Sequence, residues 1–358
     1  MKVQLRTEAQ HKRYNAVDLT KFIMSLLVIV IHVHPLGHGH DSEIANFYIM
    51  NLLPRLAVPF FFVISGFFLY KKTTLPQFTL SPSKAYLLKL LRLYLIWSVI
   101  YFPCSIDGIF YAGDGVFFGA LRFVRDMFLG SYVHLWYLAS TIMAVLVISL
   151  LLRAGLKPAL IMAISSVLYL VGLLAQTWFG LIRPLQTLTP GFWDFLRGFE
   201  PYILSTRKGI FSSMIFVGIG MLFAYYKFNI SRRAAYCGFF VSLALTFVEI
   251  HTVSVFGMAR EYDFCVMLVP TVFFLVYIVL NTGLKDSPVY PFLRSMSTLV
   301  YFLHLGIKNI VYDLMYGFGF KDTPLRFAII VAVTLIISFL LIKLSNVRCF
   351  KWLKYLYT

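Results

Sequence analysis

The sequence predicts an all-α, polytopic membrane protein of about ten transmembrane helices with both termini in the cytoplasm. Three observations predict it. Of 358 residues, 60% are hydrophobic and only 13% charged, with a mean hydropathy of +0.81; a soluble domain is about half apolar and about a quarter charged. Apolar runs approach the roughly 20 residues that carry a helix across a bilayer. The 32 Lys and Arg against 15 Asp and Glu leave a net charge of +17, and these cations gather in alternate connecting segments, as cytoplasmic loops do. Such a composition excludes a soluble enzyme, a disordered chain and a disulfide-rich secreted domain. Cys104, Cys237, Cys265 and Cys349 lie far apart with no C-x-x-C, so neither a zinc site nor a disulfide framework is indicated.

In chain order, the spans fall at 19–36, 55–70, 85–103, 134–152, 158–178, 209–226, 235–256, 264–281, 295–314 and 326–345. The first carries Lys21, His32 and His34, follows a polar stretch and lacks a small-residue cleavage site, so it reads as a retained helix and not a cleaved leader. The second is short and begins at Arg55, at headgroup level. Residues 115–129 read as a short amphipathic helix outside the membrane core. The remaining spans are bounded by charged or Gly/Pro-containing stretches.

With the N-terminus inside, about 20 cations collect on the inner side, including Arg6, Lys12, Lys71, Lys72, Arg232 and Arg233, against Glu8, Asp18 and Asp286. The outer side receives about 10, including Arg197 and Lys321, with a similar number of acids. An even count of spans keeps the basic C-terminal tail inside. The segregation accounts for the cations without nucleic acid. No internal repeat, low-complexity tract or inverted pair of Gly/Pro-broken helices is visible, and residues 1–358 read as a single integral membrane domain.

An ionisable group within a span is costly and is a functional candidate by default. Lys21 and His32 are eleven residues apart, which returns them to within about 20° of one helix face and separates them by about 16 Å of rise. A cation near the inner mouth suits an anionic or polarised ligand, and an imidazole deeper in suits proton abstraction near neutral pH. The structural alternatives are a snorkelling Lys21 and a hydrogen-bonded core His32. His34 lies about 200° round from His32 and faces elsewhere. Asp18 either caps or stabilises the positive start of span one, or pairs with Lys21. Ser65, beside Gly66, reads as a packing residue. His304, in mid-span, is either close to the site or bonded structurally, and Lys308 and Asp313 share its span.

These residues resemble the acyltransferase-3 family of membrane acyltransferases. Lys21, ten residues and His32, after Asn15-Ala16-Val17-Asp18, is similar to the family's opening Arg/Lys…His motif. Arg55 with Pro59-Phe60-Phe61-Phe62-Val63-Ile64-Ser65-Gly66 resembles the stretch that follows. Lys89-Leu90-Leu91-Arg92, His134-Leu135-Trp136-Tyr137-Leu138, Arg207-Lys208-Gly209-Ile210-Phe211 and Ser297-Thr298-Leu299-Val300-Tyr301-Phe302-Leu303-His304 follow in order. Within the family, Tyr132 to Tyr137, Trp178-Phe179-Gly180-Leu181-Ile182, Glu249 and Arg260-Glu261-Tyr262-Asp263 resemble the membrane half of vancomycin-resistance-type serine racemases. Those proteins add a soluble pyridoxal-phosphate racemase domain after the helices. With the present sequence ending at Thr358, the resemblance implies the membrane half without that activity.

The resemblance implies a multi-pass O-acyltransferase of the bacterial cytoplasmic (inner) membrane. It would move an acyl group, most often acetyl, from coenzyme A on the inner side to a hydroxyl of an envelope glycan or small acceptor. No cofactor is held permanently; acyl-CoA is a co-substrate. His32 is implied as the base or as a transient acyl carrier, with Lys21 holding the donor or stabilising charge. Lys89 and Arg92, three residues apart on one face, are implied for the phosphates of coenzyme A, or else serve as positive-inside anchors. Arg55, His134, Trp136, Arg207, Glu249, Arg260 and His304 are expected around the acceptor, with Arg–carboxylate pairing as the alternative for the charged ones. The rival expectation is a carrier or binding protein for serine or another small amino acid, in which Glu249, Arg207 and His32 bind substrate, Glu249 meeting the amine, and nothing is acylated.

Overall fold

A computed structural model describes residues 2–5, 13–36, 40–75, 77–105, 115–195, 205–317 and 324–358. Arg6, Glu8, Lys12, Arg197 and Lys321, counted above, lie outside them. The described elements are, in chain order, β1 (Lys2–Leu5), α1 (Asn15–His32), α2 (His40–Asn51), a 3-10 turn (Pro54–Leu56), α3 (Ala57–Tyr70), α4 (Ser81–Ser105), α5 (Val116–Leu129), α6 (Trp136–Arg153), α7 (Pro158–Ala175) and α8 (Phe179–Leu188). They continue as α9 (Ile210–Tyr225), β2 (Tyr226–Asn229), α10 (Arg232–Val255), α11 (Leu268–Asn281), α12 (Val289–Gly317), α13 (Pro324–Leu344) and a 3-10 segment (Arg348–Leu356).

Among the described residues, seven helices are long and apolar enough to cross a membrane: α1, the run Asp41–Tyr70, α4, α6, α7, α10 and α13. The protein is a multi-pass membrane protein. The apolar helices α9 and α11 are shorter and coincide with the sixth and eighth expected spans. The 29-residue α12 covers the ninth and carries Arg294, Lys308 and Asp313. Two features depart from expectation. The second span is preceded by α2, whose sequence HDSEIANFYIMN is too polar to register as an apolar run. A two-stranded antiparallel ribbon, with Val3 opposite Phe228 and Leu5 opposite Tyr226, adds a little β-structure to the expected all-α chain.

The described chain forms two compact units. The first holds β1 and Phe62–Phe274. In it α3 and α9 cross with almost no space between backbones. A Cβ on Gly66 would meet the Val217 carbonyl, and one on Gly220 the Val63 carbonyl, both far inside van der Waals contact. Only glycine permits this approach. A polar stripe along α4 holds the chain that leads into α6. The Tyr94 hydroxyl donates to Met127 O (2.7 Å) and accepts from Ser131 N–H (2.9 Å), the Ser98 and Ser131 hydroxyls pair at 2.6 Å, and Ser105 Oγ donates to Ser131 O (2.7 Å). Spacings of four, three and four place Tyr94, Ser98, Tyr101 and Ser105 on one helix face.

The second unit holds Ala9–Phe61 and Leu275–Thr358. Here α1 packs along α12, and α12 along α13. Asp18 of α1 meets Arg294 of α12 at one end, and His32 meets His304 further along both helices, so α1 and α12 run parallel. Arg326, near the start of α13, lies over Tyr312, near the end of α12; α13 therefore returns antiparallel. Asn15 Nδ2 donates to Asp286 Oδ1 (2.8 Å) and to Leu284 O (3.2 Å), tying the segment before α12 to the start of α1.

Candidate active site

The sharpest sequence candidates, Lys21 and His32, both belong to the second unit. Helical spacing sets their direction. Val17, Asp18, Met24, Ser25, Val28 and Ile29 are the buried residues that define one arc of α1. At about 100° per residue, Lys21 and His32 fall in the middle of that arc, about 20° apart. Both side chains are half-buried, whereas His34, past the end of the helix, is exposed. The apolar residues around them are what seat this face of α1 against α12.

His32 is met from α12 by His304. The two rings stack with centroids 5.3 Å apart and planes at 30°. His304 is fully buried, and its Nδ1 lies 2.7 Å from the Tyr301 carbonyl. A carbonyl only accepts, so Nδ1 carries the hydrogen and the neutral ring holds its lone pair on Nε2. Tyr301 is in turn edge-on to Phe61, with centroids 6.0 Å apart. The structure thus pairs two histidines 272 positions apart. Arg55, at the 3-10 turn of the same unit, donates Nε (3.0 Å) and Nη2 (2.7 Å) to Asn51 Oδ1.

Asp18 lies in the first turn of α1, at its positive end, but it is not the N-cap and does not pair with Lys21. The N-cap is Tyr14, with no side-chain cap bond, and Asp18 accepts two hydrogen bonds from Arg294, Nε to Oδ1 at 2.7 Å and Nη2 to Oδ2 at 2.6 Å. The planar guanidinium matches the carboxylate edge to edge. Sequence gave no sign of this partner, although both residues sit at the predicted inner ends of their spans.

The remaining candidates lie in the first unit. Lys89 and Arg92 are exposed on α4. His134 is 1% exposed, edge-on to Tyr101 at 4.9 Å and to Tyr132 at 5.9 Å, while these two tyrosines stack at 4.6 Å. Trp136, the first residue of α6, is edge-on to Phe62. Ser65 pairs its hydroxyl with Tyr137 at 3.1 Å.

Three connections knit together near α7, α9 and α11. Arg207 donates Nη1 to Glu261 Oε1 at 2.8 Å and Nε to Asp263. Burial alone would lower the guanidinium pKa, but the Asp263 and Glu261 carboxylates outweigh it and raise it. Burial lowers the neighbouring Lys208 ammonium, with Asp126 opposing and Arg125 and Arg207 adding to the shift. Arg260 places its guanidinium carbon 3.5 Å from the centroid of Phe179, and its backbone N–H donates to Gln176 O at 2.9 Å. Glu249 is buried and accepts from Trp178 Nε1 (2.7 Å), Val266 N–H (2.8 Å) and Met267 N–H (3.0 Å). Its two oxygens are dressed by three neutral donors, where the sequence suggested a cation or amine.

Residues 14–343 match the acyltransferase domain that defines the acyltransferase-3 family. The chain belongs to that family. The acyltransferase-3 match opens at Tyr14, just before α1, and closes at Lys343, near the end of α13, so it takes in every candidate residue named above. Among curated relatives, an amino-acid racemase of Enterococcus faecalis is 29% identical over 351 residues, 93% of this chain and 47% of that protein. A serine/alanine racemase of Enterococcus gallinarum is 27% identical over 296 residues, 80% of this chain and 40% of that protein. The chain spans less than half the length of these relatives. No solved structure matches it.

Proposed function

We propose that this acyltransferase-3 protein is a ten-span enzyme of the bacterial cytoplasmic membrane, one integral domain with both termini inside. It moves an acyl group, most often acetyl, from coenzyme A on the cytoplasmic side to a hydroxyl of an envelope glycan or small acceptor. The observation that carries the reading is the His32–His304 stack on the arc of α1 that also bears Lys21. His32 takes the proton of the acceptor hydroxyl as the oxygen attacks the thioester carbonyl. The C–S bond breaks as the new C–O bond forms, and the thiolate leaves as coenzyme A once protonated. Lys21 supplies positive charge to the donor or to the developing oxyanion. Lys89 and Arg92, exposed on α4, are the residues offered to coenzyme A phosphates. The parallel course of α1 and α12 supports the topology, because it requires an even number of crossings between their starts.

The test is acetyl transfer in proteoliposomes from labelled acetyl-CoA, together with a search for acyl-modified envelope material in cells with and without the gene. His32→Ala is expected to lower transfer at least 100-fold. Undiminished transfer by that variant sinks the reading.

A second reading, carriage of serine or another small amino acid, is favoured by the relative described as a serine/alanine racemase. Thermal stabilisation by acetyl-CoA but not by coenzyme-free buffer supports the enzyme. Stabilisation by serine, with no response to any coenzyme A species and no transfer, supports the carrier.

A further inference from the structure

Beyond His304, α12 carries a cationic group that the acyl-transfer reading does not use. Lys308 lies one turn from His304 on the same face, and Tyr312 one turn further. The Lys308 ammonium is 5.3 Å from the centroid of the Tyr312 ring. The guanidinium carbon of Arg326 is 4.3 Å from the same centroid. Arg326 is only 5% exposed, and it is the third residue of α13, beside the end of the helix whose unsatisfied N–H groups carry partial positive charge. Two cations and a positive helix end thus converge on one aromatic ring. Cation–π attraction holds each cation to the ring, but it leaves their mutual repulsion in place. Among the described residues Lys308 forms no ion pair. Asp313, the acid nearest to it in sequence, lies about 140° round the helix from Lys308 and is exposed.

We propose that Lys308, Tyr312, Arg326 and the start of α13 form a dock for an oxyanion, a carboxylate or phosphate group carried by the acceptor. The dock itself stands on the geometry of the second unit. That the docked molecule also presents the reacting hydroxyl rests on the acyl-transfer reading. One helical turn, about 6 Å, separates Lys308 from His304 along α12. An oxyanion held at Lys308 therefore leaves a hydroxyl a few bonds away beside the His32–His304 stack. The acceptor class is a compact hydroxy acid or a hydroxyl-bearing phosphate monoester, in place of a neutral sugar.

The experiment uses the full chain in maltoside detergent. Thermal shift and equilibrium binding are followed with L-serine and acetate as carboxylate probes, and with glycerol phosphate and inorganic phosphate as phosphate probes. Saturable stabilisation by one of the two sets is expected and identifies the oxyanion. Lys308→Met is expected to weaken that binding at least tenfold, Lys308→Arg to retain it, and His32→Ala to bind normally while losing transfer. Arg326→Lys, which keeps the charge, serves where larger changes at this buried position prevent folding; it is expected to weaken binding less than Lys308→Met. No stabilisation by any probe at millimolar concentration, or binding indifferent to Lys308→Met, overturns the dock. Efficient transfer to a neutral acceptor, unchanged by Lys308→Met, overturns it while leaving the acyltransferase reading intact. Oxyanion binding through Lys308 in a protein that transfers no acyl group supports the dock and removes the acyltransferase reading instead.

Discussion

Asp18 lies four residues into α1, buried, and its only described charged partner is the largely exposed Arg294 on α12. Two charge-assisted bonds meet a carboxylate that water hardly reaches, so the cost of breaking them falls on the buried partner. Asp18→Asn is expected to cost about 1–2 kcal/mol, read as a lower melting temperature in detergent. An unchanged melting temperature counts against the pair as a fastener of α1 to α12. Glu249 is a different case. Glu249→Gln keeps one acceptor but turns an NH2 group toward a backbone N–H, so stability is expected to fall by about 1–3 kcal/mol. Serine affinity of the folded fraction is expected to stay the same, because the carboxylate is already occupied by Trp178, Val266 and Met267. At Lys208 burial holds the folded-state pKa below the ordinary lysine value. The unfolded chain binds this proton more tightly, so the group's contribution to stability rises as pH climbs through the folded value toward the ordinary one. Reductive methylation followed by mass spectrometry is expected to give Lys208 a lower titration midpoint than a free lysine peptide. A midpoint at or above that of the peptide excludes the lowered value.

The crossing of α3 and α9 is the most exacting contact between elements. Gly66→Ala or Gly220→Ala sets a methyl against a backbone carbonyl of the other helix, which has no rotamer to escape into. Each is expected to cost at least about 1–3 kcal/mol, as overpacking does, and the loss of monodisperse protein on size-exclusion chromatography is the readout. Normal yield and melting temperature for both variants contradict so close a crossing. Hydropathy shows where these helices are, because burial in lipid or protein leaves a continuous apolar run in the chain. It does not show which helix meets which. Gly66 and Gly220 are 154 positions apart, Asp18 and Arg294 276 apart, and His32 and His304 272 apart, and no local period links such pairs. The Lys21/His32 face was legible for the opposite reason, since eleven residues of one helix fix their angle by geometry alone. The ribbon of β1 and β2 escaped because four residues of alternation beside a long apolar run carry little signal. The polar stripe of Tyr94, Ser98, Tyr101 and Ser105 escaped because hydroxyls within an apolar helix read as ordinary interior residues.

For the whole molecule, the second unit fixes a parity that can be measured. Asp18–Arg294 and His32–His304 set α1 and α12 parallel, and Arg326 over Tyr312 turns α13 back. On the ten-span topology proposed above, residue 13, the segment before α12 and the segment after α13 would share one side of the membrane, and the far end of α12 would lie on the other. Of the free cysteines, Cys104, Cys237 and Cys349 are exposed and Cys265 is buried. Cys349 sits in the 3-10 segment Arg348–Leu356, beyond α13, and is a native probe of that side. With Cys104 and Cys237 replaced by serine, Cys349 and an introduced Gly283→Cys are expected to react with a membrane-impermeant maleimide only after the inner face is opened. Asp313→Cys and His34→Cys, both at exposed positions, are expected to react in intact cells. Reaction of Cys349 and Gly283→Cys from opposite sides breaks the parity of α12 and α13. Reaction of all four positions from the reverse sides keeps the parity but inverts the protein, and coenzyme A, which is cytoplasmic, then has no path to Lys21 at the start of α1.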